Sequence, residues 1–269
     1  MELKSTSALR STSALKSINA PKDAGSSNGR RVEGFVRNML QQEESEMSFM
    51  KEILKKNIPI WDACADTPFV REMQKGILPV EKFKNYIIQD SIYLKNYARI
   101  YGSAIYHSTC LKDIQVYYSI LSFVTDAESA VRLSWLERFG LRDDDIETME
   151  PLSQNKRYIN FLLNIADRGD ISEILMAVLP CMLSYSYVFR KVAESPEAAN
   201  SRYADFIEDY AEDAYYEKCR EWCDFAEEKC GGLPEKRKEQ LAAVFEKASL
   251  LELDFWKMAY GEPDKNEDF

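Results

Sequence analysis

From about residue 32 onward, apolar residues recur at i, i+3, i+4 and i+7 through long segments. Short breaks separate them at Asn57-Ile58-Pro59, Leu78-Pro79, Leu141-Arg142-Asp143, Gly169-Asp170, Ser195-Pro196 and Gly231-Gly232. This spacing predicts eight or so helices. No stretch of strand length alternates apolar and polar residues between hairpin turn signals. Ten Gly and nine Pro are few for 269 residues, so the helical runs are long. The expected fold is an all-α globular helical bundle over residues 32–262, with a polar tail at 263–269.

Three predicted helices carry a reactive group on the face that should point inward. The stripe Phe83, Tyr86, Ile87, Asp90, Tyr93, Leu94, Tyr97, Tyr101 has a carboxylate at its centre. A buried Asp90 costs several kcal/mol unless it is hydrogen-bonded, ion-paired or engaged with a ligand. Tyrosines or Arg99 could satisfy it structurally. On the last long helix, Glu252 interrupts Leu241, Val244, Phe245, Ala248, Phe255 and Ala259. Burial there raises a carboxyl pKa toward the range useful for proton transfer, whereas a position at the stripe's edge leaves the group in solvent. The third stripe, Ile174, Leu175, Val178, Cys181, Tyr185, Val188, has Pro180 inside it, which removes a donor from the Met176 carbonyl and marks a kink. A buried thiol is usually inert packing. Separate helices each bringing one reactive group inward nevertheless predict a shared pocket.

Composition narrows the chemistry. His107 is the only histidine, which rules out zinc and diiron sites that need two, so acid and base work falls to carboxylates, tyrosines or thiols. Near the end of its helical stretch, His107 suits a C-terminal cap or a surface place. Cys219, Cys223 and Cys230 have helical spacing without a nearby histidine and are expected to pack rather than bind metal. The net charge of -10 argues against nucleic acid as a partner. Without an apolar run of about 18 residues or a secretory h-region, the chain is expected to be soluble, off the membrane and cytoplasmic. The first 31 residues stand apart: Ser5-Thr6-Ser7-Ala8-Leu9 is echoed at Ser11-Thr12-Ser13-Ala14-Leu15, and six Lys/Arg face two Asp/Glu. This reads as a disordered, basic, Ser-rich extension, with an organellar transit peptide as the alternative.

The stretches Phe83-Lys84-Asn85-Tyr86-Ile87-Ile88-Gln89-Asp90-Ser91-Ile92-Tyr93-Leu94, Glu173-Ile174-Leu175-Met176-Ala177-Val178-Leu179-Pro180-Cys181 and Phe255-Trp256-Lys257-Met258-Ala259-Tyr260 together resemble the TenA, or thiaminase II, family over about residues 47–262. The resemblance implies a haem-oxygenase-like all-α fold, a homotetramer and no metal or haem cofactor. It implies an aminopyrimidine aminohydrolase of thiamin salvage, releasing 4-amino-5-hydroxymethyl-2-methylpyrimidine from its 5-aminomethyl analogue or from thiamin. By the same resemblance Cys181 is the nucleophile that adds to pyrimidine C6, Glu252 the acid at N1, and Asp90 the group that holds the exocyclic amine and N3 edge. Tyr93, Tyr158, Tyr185 and Tyr210 fall at substrate-binding positions. The run Met182-Leu183-Ser184-Tyr185-Ser186-Tyr187 departs from the aromatic run ending in Glu that many relatives carry, which predicts a different pocket wall. The rival reading is a non-catalytic pyrimidine-binding or regulatory protein of the same fold, in line with the family's older label as a transcriptional activator.

Overall fold

A computed structural model describes residues 48–264, and among these every regular element is helical. The Ser-rich segment 1–31, the domain boundary near residue 32 and most of the polar tail lie outside the described residues.

Eleven α-helices follow one another: α1 Phe49–Ala65, α2 Pro68–Gln74, α3 Val80–His107, α4 Leu111–Ser122, α5 Glu128–Arg138, α6 Asp143–Ile146, α7 Ser153–Arg168, α8 Ile171–Ala193, α9 Ala204–Ala211, α10 Asp213–Cys230 and α11 Glu235–Tyr260. A π-helical turn, Phe123–Ala127, joins α4 to α5. Most of the breaks expected from the sequence end helices. Pro79 is the N-cap of α3, Gly169 in the left-handed region (φ 70°) ends α7, and Asp170 caps α8 through a 3.1 Å bond from the Glu173 amide.

The break expected at Asn57-Ile58-Pro59 is not one. α1 runs through Pro59 although an interior proline removes a backbone donor and costs about 3 kcal/mol. Ile53, Leu54, Trp61 and Cys64 are buried on both sides of it, and that packing outweighs the lost bond. The buried Asn57 side-chain nitrogen donates to the Ile53 carbonyl at 2.8 Å.

At the centre lies α8. Its apolar stripe is only part of the picture, because every residue from Ile174 to Arg190 is buried. A helix that is apolar nearly all round belongs inside a fold or a membrane. Its length and composition would suffice for crossing a membrane, but 83% of its most apolar window is buried within the protein, where α11, α9, α10, α1, α7 and α3 pack around it. α8 is therefore the axle of the bundle, and Cys181 sits halfway along it. Pro180 lies within this helix, which continues unbroken through it. Close by, the Tyr97 hydroxyl of α3 donates to the Val178 carbonyl at 2.7 Å, and Tyr101 donates to Tyr97 at 3.1 Å.

His107 is the last residue of α3 and is exposed, with its ring against Gly169 at the end of α7. A Cβ at Gly169 would come within 2.8 Å of that ring. Cys219, Cys223 and Cys230 are buried along α10, as packing residues are.

Candidate active site

Four helices bring the chemistry together. Asp90 and Tyr93 from α3, Tyr158 from α7, Cys181 and Tyr185 from α8, and Glu252 and Phe255 from α11 line one narrow cavity. Six of the seven residues singled out from the sequence line this cavity. The seventh, Tyr210, stands behind it: its ring packs against Tyr185 at 5.0 Å and against Phe189 and Phe206, buttressing the wall. In the run after Cys181 that departs from relatives, Tyr185 alone faces the cavity, while Tyr187 turns away to donate to Asp62 at 2.8 Å.

Glu252 is buried deep in the stripe, 2% exposed, and the edge position is excluded. Tyr158 donates to its Oε1 at 2.7 Å, and the Cys181 thiol is a second hydrogen-bond partner. Burial pushes the carboxyl up; the Tyr158 bond opposes this, the charge of Asp90 adds to it, the Cys181 bond opposes it again, and the balance is about 7. The acid is thus poised to take and return a proton near neutrality.

Asp90 is also pushed by burial to about 7, with the positive charge of Arg132 pulling the other way. Neither of the sequence-based partners satisfies it. Arg99 is bonded to Asn96 at 2.8 Å, and no described residue donates a hydrogen bond to the Asp90 carboxyl. A carboxyl that is 6% exposed and lacks donors carries a burial cost that a ligand's donor would relieve. The Tyr93 hydroxyl shares this character: it is near enough to Tyr158 to polarise it, yet buried without a well-aligned partner. Burial raises Tyr93, Tyr97, Tyr158 and Tyr185 well above the usual phenol value. These groups remain neutral hydroxyls, so the base that faces the Cys181 thiol is Glu252.

Several supporting residues were not read from the sequence. Gln89 accepts from the Leu152 amide at 2.9 Å and from Asn155 at 3.0 Å, and Asn155 also donates to the Gln89 carbonyl at 2.8 Å. This bracket pins α3 to the start of α7 one residue before Asp90. Tyr86 shares a 2.9 Å hydrogen bond with Tyr185 and stacks on Trp256 with the rings 7° from parallel. Phe255 supplies an apolar wall one turn from Glu252. The same stripe rule that found Asp90 would have found Asn155, which lies three residues before Tyr158 on the buried face of α7. The described residues contain no group of three His, Cys, Asp or Glu placed to hold a metal ion.

The chain is similar to several known proteins. The aminopyrimidine aminohydrolase of Halalkalibacterium halodurans is 31% identical over 217 residues, covering 80% of this chain and 97% of that protein. The Helicobacter pylori protein of the same name is 25% identical over 75% of this chain and 93% of its own length. Among solved structures, a TenA homologue from P. horikoshii superposes with a TM-score of 0.71 at 24% identity, covering 79% of this chain and 98% of the other, which shows the fold. The family model matches residues 54–262, a span that contains every cavity residue. The chain belongs to the TENA/THI-4/PQQC family.

Proposed function

We propose that the protein is an aminopyrimidine hydrolase of thiamin salvage, acting through a covalent adduct between Cys181 and pyrimidine C6. The carrying observation is the placement of a thiol hydrogen-bonded to one buried carboxyl, Glu252, beside a second buried carboxyl, Asp90, that has no donor among the described residues. Relatives named aminopyrimidine aminohydrolase support the same reading.

The ring edge of a 4-aminopyrimidine offers an acceptor at N3 and a donor at the exocyclic amine. A carboxylic acid is its complement, donating to N3 and accepting from the amine. With its carboxyl raised to about 7, Asp90 can present that form near neutral pH. The aromatic rings of Tyr93, Tyr158 and Phe255 fit the flat faces of such a ring.

In the first step the Glu252 carboxylate takes the thiol proton and passes it to N1 as sulfur bonds to C6. Charge is conserved, and the addition breaks the aromaticity of the ring. The enamine electrons then expel the group on the C5 methylene, which leaves as ammonia because the aminomethyl nitrogen enters as ammonium. Water adds to the exposed methylene and releases one proton to solvent, N1 returns its proton to Glu252 as the C–S bond breaks to restore the aromatic ring, and Glu252 hands that proton to the departing thiolate. The net change is an aminomethyl group plus water giving a hydroxymethyl group plus ammonia. In thiamin the leaving group is the thiazole.

The test is release of hydroxymethylpyrimidine from the aminomethyl compound by the wild type and by Cys181→Ala. The variant is expected to lose about 10³-fold or more in kcat. Turnover retained by the variant would rule out the adduct, and binding without turnover by the wild type would favour the regulatory reading. A homotetrameric assembly and a cytoplasmic location belong to the same proposal, tested by a light-scattering mass and by imaging of the tagged chain.

A further inference from the structure

Among the described residues Arg132 is the one cation that bears on Asp90, and the proposed chemistry leaves it without a role. It projects from α5 and is 9% exposed. Its Nη1 donates to Ser91 Oγ at 2.9 Å, the residue next to Asp90, and to Asp143 Oδ1 at 3.0 Å at the start of α6. Ser91 in turn donates to the Ile87 carbonyl at 2.7 Å, so its oxygen is turned by the helix backbone toward Arg132. The guanidinium Nε is buried with no partner. Burying a cation in this way, with an orphaned donor and a counter-ion that is largely in solvent, costs stability that a merely structural contact would not justify.

Arg132 does not line the cavity that Asp90 lines, forms no ion pair with it, and reaches it by charge alone. The other ionisable groups around Asp90 are neutral hydroxyls or acids: Tyr86 and Tyr93 on its own helix, Tyr158 on α7, Cys181 and Tyr185 on α8, and Glu252 on α11. Asp143, on α6, opposes Arg132 from its solvent side.

We propose that Arg132 is a positioning residue acting through Asp90, its buried charge driving the Asp90 proton onto N3 of the bound aminopyrimidine. The step moves one proton: the Asp90 acid becomes a carboxylate and the ring becomes a pyrimidinium. A cationic ring is a stronger electrophile at C6, so attack by the Cys181 sulfur is eased. The inference rests on the aminopyrimidine reading above, but its electrostatic half can be measured in the ligand-free protein.

The experiment follows the Asp90 carboxyl by infrared difference titration, with Asp90→Asn identifying the band. Arg132→Met is expected to raise the midpoint by about one pH unit, and Arg132→Lys to leave it near the wild-type value. Asp143→Asn, at an exposed position, frees the full charge of Arg132 and is expected to lower the midpoint. This variant keeps the test open if Arg132→Met fails to fold. Midpoints unmoved in the folded variants, or moved in the same direction by Arg132→Met and Asp143→Asn, would overturn the proposal. The basic limb of kcat/KM, which reports loss of the Asp90 proton, should move in the same order, which a purely structural Arg132 would not produce. A wild type without turnover would defeat the hydrolase reading while leaving the titration result standing.

Discussion

The Tyr158 hydroxyl and the Glu252 carboxyl meet at 2.7 Å in the interior, joining the middle of α7 to the last helix. A donor to the charged form of an acid holds its pKa down. Tyr158→Phe removes that donor, so Glu252 rises further above its present value of about 7. At pH 7 fewer molecules then hold the carboxylate that takes the Cys181 proton. We expect kcat/KM to fall about fivefold at pH 7 and to recover as pH rises, with the acid limb moved up by about one pH unit. A pH–rate profile of the two proteins checks this.

The Tyr93 hydroxyl is buried without an aligned partner, a state that costs roughly 1–3 kcal/mol. Tyr93→Phe is therefore expected to leave the ligand-free protein as stable as the wild type or slightly more so. If the hydroxyl is held for the substrate, KM rises several-fold in the same variant. Thermal melts and steady-state kinetics together distinguish this from ordinary packing, which would lower stability and leave KM alone.

Asp90 and Glu252 both bind protons more tightly folded than unfolded, since their ordinary values near 4 are raised to about 7. Between those limits the native state holds more protons than the unfolded chain, so stability falls as pH rises from about 4 to about 7. Above 7 the full cost of two buried charges is present. Glu252→Gln or Asp90→Asn should relieve it, raising stability by about 2–3 kcal/mol at pH 8 and by little at pH 5. Denaturant melts at the two pH values measure the difference.

Gly169 combines a φ of 70° with the ring of His107 where a Cβ would stand. Gly169→Ala is expected to destabilise by more than about 1 kcal/mol, and His107→Ala in the same chain should recover the steric share but not the backbone share. A double-mutant cycle by chemical denaturation separates the two.

Much of the site was legible because Asp90, Cys181 and Glu252 each interrupt an apolar stripe, and a polar group in such a place needs a reason. The same rule applies to Arg132, which precedes Trp135, Leu136 and Phe139 at helical spacing. It passed unread because a long cationic side chain ordinarily lays its stem on a helix surface and keeps its head in water. The link from Cys181 to Glu252 and that from Arg132 to Asp90 join residues far apart in the chain, and periodicity within one helix carries no record of them. Tyr210 shows the reverse: the resemblance put it among the substrate-binding positions, but a match along the chain cannot tell a residue on the cavity wall from one packed behind it. At Pro59 the local signal was correct in kind and too weak in size, since core contacts on both sides outweighed one lost bond.

The burial of α8 ties the nucleophile to the most protected part of the molecule. A thiol on a surface loop could lose its place through local fraying while the remainder stayed intact. Cys181 has no such route, because any displacement of its backbone must pull apart the helices packed around it. Inactivation on heating should consequently track global unfolding, and the amides flanking Cys181 should be among the last to exchange with solvent.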